Sequence, residues 1–212
     1  MLRGEERADR AEGVRRRPGR PSDHSRDAEI LRLALDALAE ADYDHLTLDA
    51  VATRVGRAKT TLYRRWPSKE ALVLAAVQAV GRPPEADQLP DAGSLRQDLL
   101  AVVDSPWLGG PVRRLAVFGG LASAARVSPA VADAVRATVS LPYVQLYRDL
   151  LERAVRRGEV SSEHLHQLPV LAQVVPALSS QQLEGGAILG RAYFVDVVDH
   201  VVLPALGVGP VG

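Results

Sequence analysis

The apolar positions of this 212-residue chain recur at spacings of three and four, not two, which predicts helices throughout. The first stripe is Ile30, Leu31, Ala34, Leu35 and Leu38, opened by Ser25, with Asp27 and Glu29 at the positive end of the helix dipole. It should stop near Ala41. Thr47 then caps a short second helix, with Leu46 and Val51 at the two positions of a hydrophobic staple, and Gly56 ends it. A third helix spans about residues 58–65 and stops before Pro67. Ser68 opens a fourth, carrying Leu72, Val73, Ala76, Val77 and Val80.

A Pro-rich and acidic stretch from Gly81 to Gly93 reads as a domain boundary. Beyond it, Ser94 and Gln97 form a capping box ahead of Leu95, Leu99, Val102 and Val103. Pro111 suits the first position of a helix carrying Leu115, Phe118, Leu121, Ala122 and Ala125. Ser128-Pro129 opens another, which Pro142 should kink or split before Leu146, Leu150 and Leu151; Gly158 ends it. Over residues 162–183 a further stripe is interrupted by Pro169 and Pro176. The valine-rich stretch 191–206 has strand propensity, but Phe194, Val197, Val198, Val201, Val202 and Ala205 keep helical spacing. The fold class expected is therefore all-α: an N-terminal three-helix unit with a helix-turn-helix over residues 25–81, and a C-terminal helical bundle over residues 93–212. Residues 1–24, charged and rich in Arg, Gly and Pro, read as a disordered basic arm.

Composition narrows the function classes. Cysteine is absent, which excludes thiol catalysis, disulfide frameworks and Cys-ligated zinc. No apolar run reaches the roughly 18–20 residues of a membrane span, and the charged N-terminus is not a secretory signal. A soluble, cytoplasmic protein is expected. The formal net charge is zero, yet residues 52–69 hold Arg54, Arg57, Lys59, Arg64, Arg65 and Lys69 with no acid among them. A second basic knot, Arg15 to Arg20, lies upstream. Such concentration in a neutral chain is the footprint of phosphate binding, although a solvated helical face is the plainer reading of any one cluster.

Spacing decides in favour of the former. Where two short helices cross steeply, the first needs a small residue under the second, the turn needs tolerance of positive φ, and the second helix needs an apolar anchor. Ala52, Gly56 and Leu62 meet these needs, with Val51 and Val55 completing the packing. Outward on the second helix would lie Lys59, Thr60, Thr61, Tyr63, Arg64 and Arg65, donors and methyl-bearing side chains suited to base edges and phosphates. Ser68-Lys69 sets a helix N-terminus beside a lysine, a ready phosphate site. For Thr47 and Ser68 simple capping competes with phosphate contact, and for Tyr63 so does packing between helices.

The segment T-L-D-A-V-A-T-R-V-G-R-A-K-T-T-L-Y-R-R-W-P-S-K, residues 47–69, strongly resembles the DNA-binding domain of tetracycline-repressor-type (TetR/AcrR) transcriptional regulators. The likeness covers roughly residues 25–80. It implies phosphate contacts from Thr47, Tyr63 and Lys69, and base contacts from Arg57, Lys59, Thr60, Thr61 and Arg65. Arg64-Arg65 replaces the family's usual aromatic or histidine after the tyrosine, which should add phosphate affinity. The Arg15–Arg20 segment is compatible with an arm in the minor groove or with a solvated tail. The C-terminal half matches the family in pattern only: a divergent bundle that holds an inducer and pairs its last two helices with a second subunit. A dimer also follows from the small area one short recognition helix can bury.

Candidate pocket residues are Trp107, Phe118, Tyr143, Tyr147, Gln173 and Tyr193, and the candidate dimer seam is Phe194, Val197, Val198, Val201 and Val202, each with core packing as the competing role. Catalysis finds little support. The histidines lack metal-ligand spacing, and no nucleophile elbow, P-loop or dinucleotide glycine pattern occurs, so no metal, cofactor or enzyme activity is expected. The expected partners are a double-stranded DNA operator, a small-molecule inducer and a second copy of the chain, with no membrane. Two other readings stay open: a regulator of this type without a small-molecule inducer, and a helical-bundle carrier or enzyme with an incidental basic face.

Overall fold

The computed structural model describes residues 23–181 and 189–209; the basic segment Arg15–Arg20 lies outside them. Every regular element among the described residues is helical, as the periodicity predicts. Helix α1 (Asp23–His45) starts ahead of the expected Ser25 and breaks at Asp42, whose φ of 53° is uncommon outside glycine. The break frees the Tyr43 N–H, which donates to Ser123 Oγ at 2.9 Å.

Helices α2 (Leu48–Val55), α3 (Lys59–Arg65) and α4 (Lys69–Val80) follow with the expected caps: Thr47 Oγ1 accepts from Ala50 N–H and Ser68 Oγ from Ala71 N–H. The chain from Gly81 to Gly93 contains one short 3₁₀ turn, Ala86–Gln88, and is held down at two points. Asp98 accepts from Ala92 N–H, and Arg157 pairs with Asp91. Helix α5 (Leu95–Val103) is capped by Ser94; among the described residues only this forward half of the expected box forms.

Helices α6 (Pro111–Val127), α7 (Pro129–Val135) and α8 (Leu141–Arg156) form the body of the bundle. Between α7 and α8 the chain neither kinks sharply nor splits. Over Arg136–Ser140 it widens to a π turn in which Leu141 N–H bonds to Arg136 C=O, five residues back. A proline ring in a regular helix collides with the carbonyl four residues earlier, and the wider turn ahead of Pro142 relieves that collision. The same device recurs at the end of the chain. Helix α10 (Arg191–Val197) passes through a π turn at Val198–Val202 into α11 (Leu203–Ala205), two residues ahead of Pro204. Helix α9 (Leu168–Ser179) has Pro169 in its first turn and runs on through Pro176.

One hydrophobic core runs through both halves. Helix α1 packs on α6 and α4, α4 on α7, α5 on α8, and α8 on α9. At Gly120 a Cβ would stand 2.7 Å from Leu38 C=O, so α6 approaches the α1 backbone as closely as only glycine permits. Arg113 bonds to Asp36 across this junction at 2.7 Å, and Ser128, between α6 and α7, bonds to Glu70 of α4 at 2.8 Å.

Candidate functional site

The N-terminal site is built on α2 and α3. Thr47 caps α2 from extended backbone, and the staple residues Leu46 and Val51 are buried beside it. Gly56 takes the left-handed conformation (φ 67°, ψ 37°), and Arg57 N–H returns to Ala52 C=O at 3.0 Å, closing α2 and redirecting the chain. Ala52 lies buried where α3 crosses, and Leu62 is 0% exposed, the anchor that the spacing requires. The opposite face of α3 is open: Lys59, Thr60, Tyr63 and Arg64 are exposed, Tyr63 at 46%. Thr61 and Arg65 are half-buried, while Thr47 and Arg57 are exposed at the flank.

The run without acids, residues 52–69, acquires acids in three dimensions. Arg54 forms a two-pronged pair with Glu40 of α1 at 2.6 and 2.7 Å, which holds the Glu40 carboxyl below its ordinary range. Lys59 Nζ lies 2.5 Å from Asp49 Oδ2 of α2, and this bond raises the lysine pKa. Arg65 pairs with Asp27 of α1. Lys69 donates to Tyr43 C=O at 2.7 Å and sits 4.3 Å from the Tyr43 ring centroid, where it closes the broken end of α1. Three of the cations named from the sequence, Arg54, Arg65 and Lys69, thus tie α1 to the helices that follow it. Arg57 and Arg64 stand exposed at the surface of the helix-turn-helix.

In the C-terminal half, a cavity of ≈ 510 Å³ opens between α6, α8 and α9. Of the six pocket candidates, Phe118, Tyr143 and Gln173 line it. Trp107, Tyr147 and Tyr193 do not. Trp107 packs edge-on against Phe118 and tilted against Tyr143, at 5.8 and 5.7 Å between centroids. Tyr147 is fully buried with its hydroxyl 3.5 Å from that of Tyr143, and burial pushes its pKa well above the ordinary value. Tyr193 packs edge-on against Phe194 and is 37% exposed. Sequence reasoning missed Arg126, Arg136 and Ser140, which also line the cavity. They sit on α6 and on the π turn, whose meeting no local pattern reveals. A second depression of ≈ 840 Å³, between Arg82–Glu85 and the outer faces of α8 and α9, carries charges of both signs.

The candidate dimer seam is corrected. Phe194, Val197, Val198 and Val202 are sealed in the protomer's own core, and only Val201, 47% exposed, faces outward. Helical spacing marks the apolar face, but that face here packs on α5 and its neighbours. The outward stripe of this helix is Ala192, Asp196, His200, Val201 and Pro204, and the outward stripe of α9 includes Val170, 66% exposed.

Residues 30–76 match the family described as bacterial regulatory proteins, tetR family, and residues 89–201 match the tetracyclin repressor-like C-terminal domain. Among curated proteins, the DNA-binding transcriptional repressor TetR of Mycobacteroides abscessus is 32% identical over 84% of this chain and 93% of that protein. An uncharacterized HTH-type transcriptional regulator of Mycobacterium bovis is 37% identical over 69% of this chain and 71% of its own length. A crystal structure of a TetR-family regulator from Rhodococcus sp. superposes with a TM-score of 0.60 at 20% identity, covering 87% of this chain and 98% of that one, which shows the shared fold. With a helix-turn-helix of the required geometry and both halves matched, the chain belongs to the TetR family of helix-turn-helix transcriptional regulators.

Proposed function

We propose that the chain is a homodimeric repressor that reads a palindromic operator with two copies of α3 and releases it when a small molecule fills the C-terminal cavity. Residues 25–81 serve as the DNA-binding unit and residues 93–212 as the ligand-binding and dimerisation unit. The observation that carries the reading is the split character of α3: Leu62 fully buried inward, and Lys59, Thr60, Tyr63 and Arg64 presented outward. The Mycobacteroides relative, named a repressor, supports the sign of regulation.

Thr47, Tyr63 and Arg64 are assigned to phosphates. Arg57, Lys59, Thr60 and Thr61 are assigned to base edges. Arg65 and Lys69 reach the DNA only by leaving or sharing their partners on α1. The outward stripes of α9 and of the last helix, with Val170 and Val201, pair the subunits. The junction of α1 with α6 gives ligand binding a route to the spacing of the recognition helices.

The test is a footprint of the purified protein on DNA upstream of its own gene. Two symmetric protected half-sites, separated by about one helical turn or a multiple of it, are expected. A single unpaired patch would contradict the dimeric reading.

A further inference from the structure

We propose that the cavity between α6, α8 and α9 takes an organic anion with an apolar body, its oxyanion head held by Arg126 and Arg136. This rests on the inducer reading above and names the class of compound that the site accepts. The inner wall is apolar, built from Phe118, Leu121, Val139 and Tyr143. Among the described residues, the only charged side chains lining the cavity are the two arginines, and no acid joins them.

Neither guanidinium makes a hydrogen bond or ion pair with any described residue. Elsewhere in this half, Arg96, Arg113, Arg157 and Arg191 each engage a carboxylate. Two guanidinium groups beside an apolar chamber, with no carboxylate partner among the described residues, can take a ligand's negative charge, and their planar forks match an oxyanion.

The helix geometry also gives the ligand a direction. Phe118, Ala122 and Arg126 lie four apart on one face of α6. Arg136, Val139, Ser140 and Tyr143 lie along the facing helix. The chain reverses at Ser128 between them, and the Phe118 and Tyr143 rings meet at 5.5 Å. On each helix the arginine therefore lies nearer the turn than the ring does. From ring to arginine is about 10–12 Å at the rise of a helix, the length for an apolar body. The volume of ≈ 510 Å³ is in the range of small-molecule sites.

The test is calorimetric titration of the full chain with decanoate, decyl phosphate, 1-decanol and decyltrimethylammonium, on wild type and on the Arg126→Gln/Arg136→Gln double variant. Both arginines are exposed, so the variant should keep its fold, checked by circular dichroism. Anionic probes are expected to bind about tenfold more tightly than the alcohol, with that preference lost in the variant. The tighter of carboxylate and phosphate identifies the head group. Equal binding of the alcohol or the ammonium, an anion preference that survives in the variant, or no anion binding at about 1 mM would overturn the proposal. Operator affinity measured in parallel separates the two readings. An anion that binds through the arginines yet leaves DNA binding intact would defeat the inducer reading alone. Release of DNA by the alcohol with no anion preference would defeat the anion alone.

Discussion

Asp49 of α2 accepts from both Lys59 Nζ, at 2.5 Å, and Tyr63 Oη, at 3.4 Å, so one carboxylate holds two side chains of the exposed surface of α3. In the proposed complex, DNA arriving at this surface competes with Asp49 for both. The Asp49→Asn variant should therefore bind DNA of any sequence more tightly, by about threefold to tenfold at low salt, with a steeper salt dependence. Anisotropy titrations on unrelated duplexes at several salt concentrations would measure it; unchanged or weaker binding would show that the carboxylate positions Lys59 more than it opposes the DNA.

Gly120 controls how closely the two halves approach. Because an added Cβ would meet Leu38 C=O at 2.7 Å and Ala39 N at 3.0 Å, and backbone cannot swing aside, Gly120→Ala must push α6 from α1. A loss of about 1–3 kcal/mol is expected in denaturant unfolding. Gly56→Ala differs in kind, since its Cβ meets nothing and the cost comes from φ alone.

Arg65 and Asp27 join α3 to α1 in a half-buried pair. Arg65→Ala should lower stability by about 0.5–1 kcal/mol as well as weaken DNA binding, and Asp27→Asn should reproduce the stability loss without removing a cation from the DNA face. Thermal melts of the two variants, compared with their DNA affinities, would separate the structural role from the contact.

How far the fold could be read in advance varied with the range of the interaction. Thr47, Gly56, Ser68 and Pro111 act on neighbours within four residues, and each stands at the helix boundary its chemistry demands. The all-α class and the inward Leu62 follow from the same local rules. The pairings Arg54–Glu40, Lys59–Asp49 and Arg65–Asp27 join different helices, and no periodicity announces them. For the same reason an acid-free run looked more strongly basic than the folded surface is. Phe194, Val197, Val198 and Val202 show the other limit: spacing finds an apolar face but not whether the protomer or a partner covers it. Among the aromatics, Tyr147 and Trp107 gather beside Tyr143 yet lie behind the cavity wall, while Arg126 and Arg136 reach it from two helices.

The pair Arg96–Asp199 links α5 to the last helix through two bonds, at 2.7 and 2.8 Å, and its hydrogen bond is the leading cause that holds the Asp199 carboxyl below its ordinary value. A carboxylate with a lowered folded pKa contributes stability above the unfolded value, about 3.9, and that stability is lost as pH falls through the folded one. Arg96→Met should therefore melt below wild type at neutral pH, with the gap closing in acid. A gap independent of pH would assign the loss to packing of the arginine stem instead.

The most direct measurement is fluorescence anisotropy on DNA from upstream of the protein's own gene and on a scrambled duplex, at two salt concentrations, for wild type and a Tyr63→Ala/Arg64→Ala variant. Both side chains are exposed on α3, so the fold should survive their removal. Wild type is expected to prefer its own DNA, to bind as two protomers per site, and to weaken steeply with salt, while the variant loses affinity for both duplexes and its salt slope falls by about one per subunit. A folded variant that binds as tightly as wild type, with the same salt slope, would show that α3 is not the surface that meets DNA.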